Sequence, residues 1–290
     1  MKLLFVVLGL AALAVAEEEI LLDYHRLVGI PEAARIKQAE NAIDFDGSRI
    51  VGGTAANLGA YPFLIGMLIP LTSGLTSVCG STMLTNTRSV TAAHCWKYGS
   101  NQAISFNLVF GSDRLFSGGV RISTNNVAMH TNYNEQNLAN DIAIVSFNWV
   151  SYTNVIQRAV LPSGSQLNNN FAGTLAHAAG FGSAGDIVNS QGKRHVTLQV
   201  ITNAVCQQTF GPNIISSTLC TSGVGGVGTC GGDSGGPLTI NSGNNRVLVT
   251  ILYVHRQTCM GNLMLFGLEY SLCTAVFTLL SSYLNPLCGI

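Results

Sequence analysis

Three short segments of the sequence carry residue types that could do chemistry together. His94 stands beside a cysteine after an apolar run, Asp141 heads a strongly apolar run, and Ser234 lies among glycines. Acyl transfer to serine needs a hydroxyl nucleophile, an imidazole that takes and returns its proton, and a carboxylate that orients the imidazole. Each segment alone has an ordinary structural explanation. Together they supply the three groups in the order His, Asp, Ser, which is one of the known orders of such triads.

The glycines around Ser234 have a mechanical purpose in the same chemistry. An oxyanion that develops during acyl transfer is stabilised by backbone N–H groups that no side chain obstructs. Gly232 can adopt a positive φ and present its amide beside that of Ser234. The amides of Gly232 and Ser234 are therefore the predicted oxyanion hole.

Short β-type runs between turn clusters must position these groups. From residue 50 to about residue 249 helical periodicity is rare, and Gly, Asn and Ser separate the runs. This pattern predicts an all-β sandwich or barrel. A short helix is predicted over residues 31–42, where it would begin at a proline. The clearest runs are 63–69, 89–92, 107–110, 142–147, 175–179, 196–201 and 246–249.

Composition limits the partners. The chain has 290 residues, 47% of them apolar and only 10% charged, with a formal net charge of zero. No polybasic run or acidic tail occurs, so neither nucleic acid nor a membrane is a predicted partner. The glycine-rich stretch before Ser234 lacks the Lys-Ser/Thr of a phosphate-binding loop.

The N-terminus has the features of an export signal. Lys2 is followed by an apolar run over residues 3–13 and then by the small-x-small site Ala14-Val15-Ala16. Cleavage after Ala16 would release a secreted, extracellular chain. A membrane anchor is the alternative, but the run is short for spanning a bilayer.

Export makes the eight cysteines candidates for disulfides. Roughly a hundred pairings are compatible with eight cysteines, so the sequence alone does not choose among them. No spacing matches a Cys-x-x-Cys zinc site, and the histidines other than His94 show no paired ligand spacing. We therefore predict no metal and no cofactor.

Together with the motif Arg49-Ile50-Val51-Gly52-Gly53, the segments around His94, Asp141 and Ser234 resemble the chymotrypsin-like serine proteases, especially the digestive enzymes of insects. The resemblance is good from Arg49 to about Val249. It implies two packed six-stranded antiparallel β-barrels with the triad in the cleft between them. The implied domains are a signal peptide (1–16), an activation propeptide (17–49), the protease domain (50–249) and a C-terminal part that departs from the family pattern (250–290).

The resemblance also assigns roles and partners. Ser234 would attack the scissile carbonyl of a protein or peptide, His94 would act as general base and then general acid, and Asp141 would hold the imidazole. A trypsin-like protease would activate the zymogen by cutting after Arg49, and protein inhibitors of proteases would be further partners. The freed α-amine of Ile50 would then pair with Asp233, and a neighbouring carboxylate favours its charged form.

Specificity and disulfides follow from the same resemblance. Gly228 would form the base of the primary pocket, and its lack of a carboxylate disfavours trypsin-like cleavage. The implied preference is for apolar or aromatic residues, with an elastase-like preference for small residues left open. The implied disulfides are Cys79–Cys95, Cys206–Cys220 and Cys230–Cys259, whereas Cys273 and Cys288 have no counterpart.

The sequence departs from the family after residue 249. The Ser and Gly that would bind the substrate backbone are absent from residues 249–255, and residues 275–285 resemble the family again only faintly. A match that breaks and partly returns favours a short shift of reading frame over divergence. The alternative function is therefore a catalytically impaired homologue that binds a partner. A lipase or esterase would need strand–helix alternation and the order Ser, Asp, His, neither of which occurs.

Overall fold

The computed structural model describes residues 23–41, 54–182, 192–224, 228–253 and 273–279. Its strands are, in chain order, β1 Thr54–Ala55, β2 Leu64–Pro70, β3 Thr76–Thr85, β4 Arg88–Thr91, β5 Lys97–Tyr98, β6 Asn101–Gln102, β7 Phe106–Phe110, β8 Val120–Thr124, β9 Val127–Met129, β10 Ala143–Ser146, β11 Leu175–Gly180, β12 Arg194–Ile201, β13 Thr218–Ser222, β14 Pro237–Ser242, β15 Asn245–Tyr253 and β16 Cys273–Leu279.

The first sheet curls into a barrel. Its order is β8-β7-β2-β3-β4-β10-β9, and every pair in it is antiparallel. Only Asn125 and Asn126 separate β8 from β9, so one run of chain pairs with β7 on one side and β10 on the other. The sheet therefore closes on itself as six strands, which leaves no free edge in this barrel.

The second sheet closes in the same way. Its order is β1-β12-β11-β14-β15-β16-β13, and β12 also pairs with β13. The six strands β11 to β16 thus form a ring, to which β1 adds on the outside of β12. β16 completes this ring by pairing with β13 and β15. It lies where the sequence resembles the family only faintly, so a closing strand forms despite the departure.

The predicted fold is confirmed, and the predicted runs correspond to β2, β4, β7, β10, β11, β12 and β15. The predicted helix is also present. It follows the π-helix His25–Gly29 and runs as α1 over Ile30–Glu40, with Pro31 in its first turn. We call residues 23–41 the N-terminal segment. A second helix, α2, spans Asn203–Phe210, and Thr202 caps its N-terminus by accepting a hydrogen bond from the Val205 amide.

Two large apolar clusters lie within the barrels, and the larger one, centred on the first barrel, also includes Leu248 and Ile251 of β15. The second-barrel core is built from residues such as Leu198, Leu238 and Val249. The first-barrel core also includes Tyr24, Ala33 and Ile36 of the N-terminal segment. Strand β3 is buried along most of its length, and both α1 and the π-helix contact it. Among the described residues, no helix is long and apolar enough to cross a membrane.

Candidate active site

His94 and Asp141 form a tightly held pair in the first barrel. The ring nitrogen Nδ1 of His94 lies 2.6 Å from Oδ2 of Asp141, and the His94 backbone amide donates to Oδ1 at 2.8 Å. Both side chains are buried. An ionised carboxylate only accepts hydrogen bonds, so Nδ1 carries the proton and Nε2 is left with its lone pair. This is the tautomer that a general base needs.

Local chain geometry explains how the two residues meet. His94 lies in the 3₁₀ turn Ala93–Cys95 directly after β4, and Asp141 immediately precedes Ile142 and β10, which pairs with β4. On the other side of Asp141 the backbone of Leu138 and Asn140 has positive φ values of 55° and 57°. Asn tolerates this left-handed region, whereas for Leu it is costly. Sequence reasoning missed Leu138, because no local pattern marks it.

Ser234 reaches the same place from the second barrel. Its carbonyl accepts a 2.7 Å hydrogen bond from the Gly80 amide of β3, so the serine loop is bonded directly to the first barrel. Sγ of Cys95 lies 3.6 Å from His94 Nε2 and 3.9 Å from the Ser234 carbonyl oxygen. The structure therefore brings the backbone of Ser234 close to the His94–Asp141 pair.

Glycines let the serine loop fit against the first barrel. Gly232 has φ +94°, the conformation expected for a residue that offers its amide to an oxyanion. Gly235 has φ +80°, and a Cβ there would lie 2.2 Å from Thr91 Oγ1 and 2.4 Å from the Gly80 carbonyl oxygen. A side chain at residue 235 would push the two barrels apart at the nucleophile.

Asp233 is buried beneath the same loop. Its carboxylate accepts hydrogen bonds from the amides of Gly182 at 2.8 Å and Cys230 at 3.0 Å. Burial raises the pKa of Asp233 to about 6, although both of these hydrogen bonds lower it. A Cβ on Gly180 would lie 2.0 Å from Asp233 Oδ1. Sequence reasoning missed Gly180 and Gly182, whose only signal is their place at the end of a strand.

The remaining predicted site residues are only partly described. Gly228 is half-buried and precedes the buried Thr229. Arg49, Ile50 and Cys259 lie outside the described residues, as do residues 1–16.

The structure forms the disulfides Cys79–Cys95 and Cys206–Cys220, both of them pairings that the resemblance implied. Cys230 is also disulfide-bonded. One group of potential metal ligands occurs among the described residues, and it consists of His94 with the Cys79–Cys95 pair. Sulfurs joined in a disulfide are not thiolates, so this group lacks the ligands of a zinc site.

Tyr24 of the N-terminal segment is the main site residue that sequence reasoning missed. Its ring centroid lies 4.6 Å from that of His94, and its hydroxyl donates to the Val78 carbonyl at 2.9 Å. Burial raises the Tyr24 pKa, while hydrogen bonds with the Ser234 side chain and the Gly232 backbone act to lower it. No sequence signal pointed here, because the segment is polar and precedes the β-rich part of the chain.

Comparisons with known proteins agree with this geometry. The Trypsin family model matches residues 50–268, continuing past the point where the resemblance read from the sequence weakens. Collagenase of Hypoderma lineatum is 32% identical, over 73% of this chain and 79% of the relative. Trypsin, alkaline C of Manduca sexta is 33% identical, over 69% and 80% respectively.

A solved structure gives the same answer for the fold. The 1.7 Å structure of HL collagenase superposes with a TM-score of 0.71 at 29% identity, covering 83% of this chain and 99% of that chain. The family match, the relatives and the fold all agree with the predicted family. The chain belongs to the trypsin family of serine endopeptidases, with the chymotrypsin-like fold.

Proposed function

We propose that this chain is the zymogen of a secreted digestive endopeptidase that cuts proteins through an acyl-enzyme at His94, Asp141 and Ser234. The observation that carries the proposal is the buried His94–Asp141 pair, in which one carboxylate binds both the ring and the backbone amide of the histidine. Such double fixation sets the tautomer and the direction of the ring at once.

The proposed reaction follows from these contacts. The Ser234 hydroxyl attacks the substrate carbonyl while His94 Nε2 takes its proton, and Asp141 stabilises the imidazolium that forms. The amides of Gly232 and Ser234 stabilise the oxyanion. His94 then returns the proton to the leaving amine, and water releases the acyl group by the same steps.

Activation would work through Asp233. A buried carboxylate with a raised pKa is poorly stabilised when ionised. Cleavage after Arg49 by a trypsin-like protease would supply the α-ammonium of Ile50 as its partner. The ion pair would fix the loop that carries Gly232 and Ser234. This proposal links proteolysis to the formation of the oxyanion hole.

The proposed specificity is for apolar or aromatic residues before the cut bond. Gly228 contributes no carboxylate to the base of the proposed pocket, so a Lys or Arg side chain would find no charge partner there. Small aliphatic residues are the second candidates.

The test uses the full-length secreted chain. The protein is activated with trypsin, the trypsin is removed, and Ser234 is labelled with a fluorophosphonate. Peptides with aromatic, small aliphatic or basic residues before the cut are compared, together with gelatin because one relative is named a collagenase. We expect labelling and fastest cleavage after aromatic residues. Ser234→Ala is the matched control, and an activated wild-type chain that does not label would support the alternative of a binding homologue.

A further inference from the structure

The N-terminal segment occupies the cleft in which a substrate would have to bind. Tyr24 is fully buried between the His94 ring and the carbonyl of Val78. The Ser234 side chain and the Gly232 backbone lie close enough to this hydroxyl to act on the Tyr24 pKa, which both of them lower. The phenol oxygen thus lies in the region where the carbonyl oxygen of a bound substrate would be polarised. As a consequence His94 and Ser234 are both fully buried.

Several contacts hold the segment in this position. His25 Nδ1 lies 2.8 Å from Ser77 Oγ on β3. At the far end of α1, the buried Glu40 carboxylate accepts hydrogen bonds from the amides of Leu115 and Phe116, the latter at 2.9 Å. Between these ends Ala33 and Ile36 pack into the first-barrel core. The segment is therefore seated along its length.

The fit is close enough to require a glycine. A Cβ on Gly29 would lie 1.8 Å from Ser77 Oγ. The segment also approaches the serine loop, since a Cβ on Gly231 would lie 2.7 Å from Val28 and 3.3 Å from Glu32. The Glu32 charge raises the Asp233 pKa further. The bound segment therefore opposes ionisation of the carboxylate that the proposed activation uses.

We propose that the N-terminal segment is an intramolecular inhibitor, which blocks the active site by placing Tyr24 on His94 and Ser234 until cleavage frees it. The proposal rests on the proposed function. Because residues 25–40 are helical, most of their backbone groups are bonded within the segment. The segment can thus cover the nucleophile without presenting an extended peptide bond to it.

The test compares uncleavable precursors that carry Arg49→Gln. Their rates of Ser234 labelling by a small fluorophosphonate are measured with the natural segment, with Tyr24→Ala and with Gly29→Val. We expect each substitution to raise the labelling rate at least tenfold, because Tyr24→Ala removes the block and Gly29→Val unseats the segment through Ser77. Lys37→Ala, an exposed change on α1, should leave the rate unchanged. Tyr24→Phe should give an intermediate rate, since the ring stays and the hydroxyl is lost.

A second measurement separates this proposal from the proposed function and from misfolding. Cleavable Tyr24→Ala and wild-type chains are activated, and the severed segment is removed by gel filtration. Both should then label at the same rate, because the substituted residue has gone. Labelling of the wild-type and Tyr24→Ala uncleavable precursors at rates that are equal and measurable would overturn the inhibitor proposal. Failure of the activated wild-type chain to label would instead overturn the proposed function.

Discussion

The two barrels hold their parts of the site in different ways. In the first barrel the carboxylate of Asp141 already binds both the ring and the backbone amide of His94. In the second barrel the loop around Ser234 is supported by Asp233, a buried carboxylate whose pKa is raised and which has backbone amides as its hydrogen-bond donors. The His94–Asp141 pair is thus already formed, whereas in the proposed activation the support of the nucleophile depends on the ammonium of Ile50.

The N-terminal segment also contacts the two barrels in different ways. It packs on β3 and joins the first-barrel core, and it meets the second barrel mainly at the serine loop, near Gly231. In the mechanism that we propose, regulation therefore acts on the nucleophile and on access to it. The histidine pair needs no adjustment.

The largest effect should come from the first barrel, in which the His94–Asp141 pair is already formed. Asp141→Asn in the activated enzyme is expected to lower kcat by about 10⁴-fold, the size of loss that this change causes in a Ser-His-Asp triad. The amide side chain removes the carboxylate charge and permits the wrong His94 tautomer. Steady-state kinetics on an aromatic peptide substrate measure this loss. Asp113→Asn, an exposed aspartate of the same barrel, is the control and should change kcat little. A loss below tenfold for Asp141→Asn would mean that the buried pair does not serve catalysis.

The disulfides offer a direct comparison of the barrels, because they close loops of similar size. The sequence separations are 16 residues for Cys79–Cys95 and 14 for Cys206–Cys220. Replacing either pair by alanines should cost about 3 kcal/mol of unfolding free energy. Only the loss of Cys79–Cys95 should also lower kcat/KM, since Cys95 adjoins His94 and contacts its ring. Denaturant unfolding and kinetics measure the two effects separately. An equal fall in kcat/KM on loss of either disulfide would contradict this contrast between the two barrels.

Asp233 should give the second barrel a pH-dependent stability before cleavage. The pKa of Asp233 in the folded chain is about 6, above the ordinary aspartate pKa of 3.8. The folded precursor therefore binds more protons between these pH values, and this stabilisation is lost as the pH rises through about 6. The loss should be on the order of 2–3 kcal/mol. We expect thermal unfolding of the Arg49→Gln precursor to show it.

Asp233→Asn in the same precursor is the reference, because His25, Glu40 and the other titrating groups are then shared. The difference in stability between the two chains should change between pH 4 and 7. After cleavage the ammonium of Ile50 would lower the Asp233 pKa and remove this trend. Identical pH profiles for the two precursors would show that Asp233 is not held as a buried neutral acid.

The sequence predicted the residues of the proposed catalytic site better than it predicted the position of the N-terminal segment. His94, Asp141 and Ser234 were identifiable because nucleophile chemistry restricts residue type and the surrounding glycines restrict the backbone. The runs that became β4 and β10 were visible from their apolar residues. Even α1 was predicted from Pro31, although its bounds differ slightly.

What the sequence could not predict was where α1 would dock. Tyr24, Gly29 and Glu40 act through contacts with residues far along the chain, such as Ser77 and Leu115. The segment is polar on one side and only moderately apolar on the other, so its sequence resembles that of an exposed helix. The same limit applies to Gly180. This residue must lack a side chain because Asp233, from across the loop, lies where a Cβ would be.

The smallest predicted effect concerns the contact between the barrels themselves. The guanidinium of Arg246 on β15 lies 4.3 Å from the ring centroid of Tyr61, which belongs to the first-barrel core. A half-exposed cation–π contact contributes about 0.5–1 kcal/mol. Arg246→Met keeps most of the side-chain bulk and removes the charge, and Tyr61→Leu removes the ring. Denaturant unfolding of the single and double variants gives the coupling energy.

Coupling near zero would mean that hydrogen bonds such as that from Gly80 to Ser234, together with the shared apolar contacts, suffice to join the barrels. A value of about 0.5–1 kcal/mol would show that Arg246 adds a polar link at a distance from the active site, so the two halves can stay joined while the serine loop adjusts.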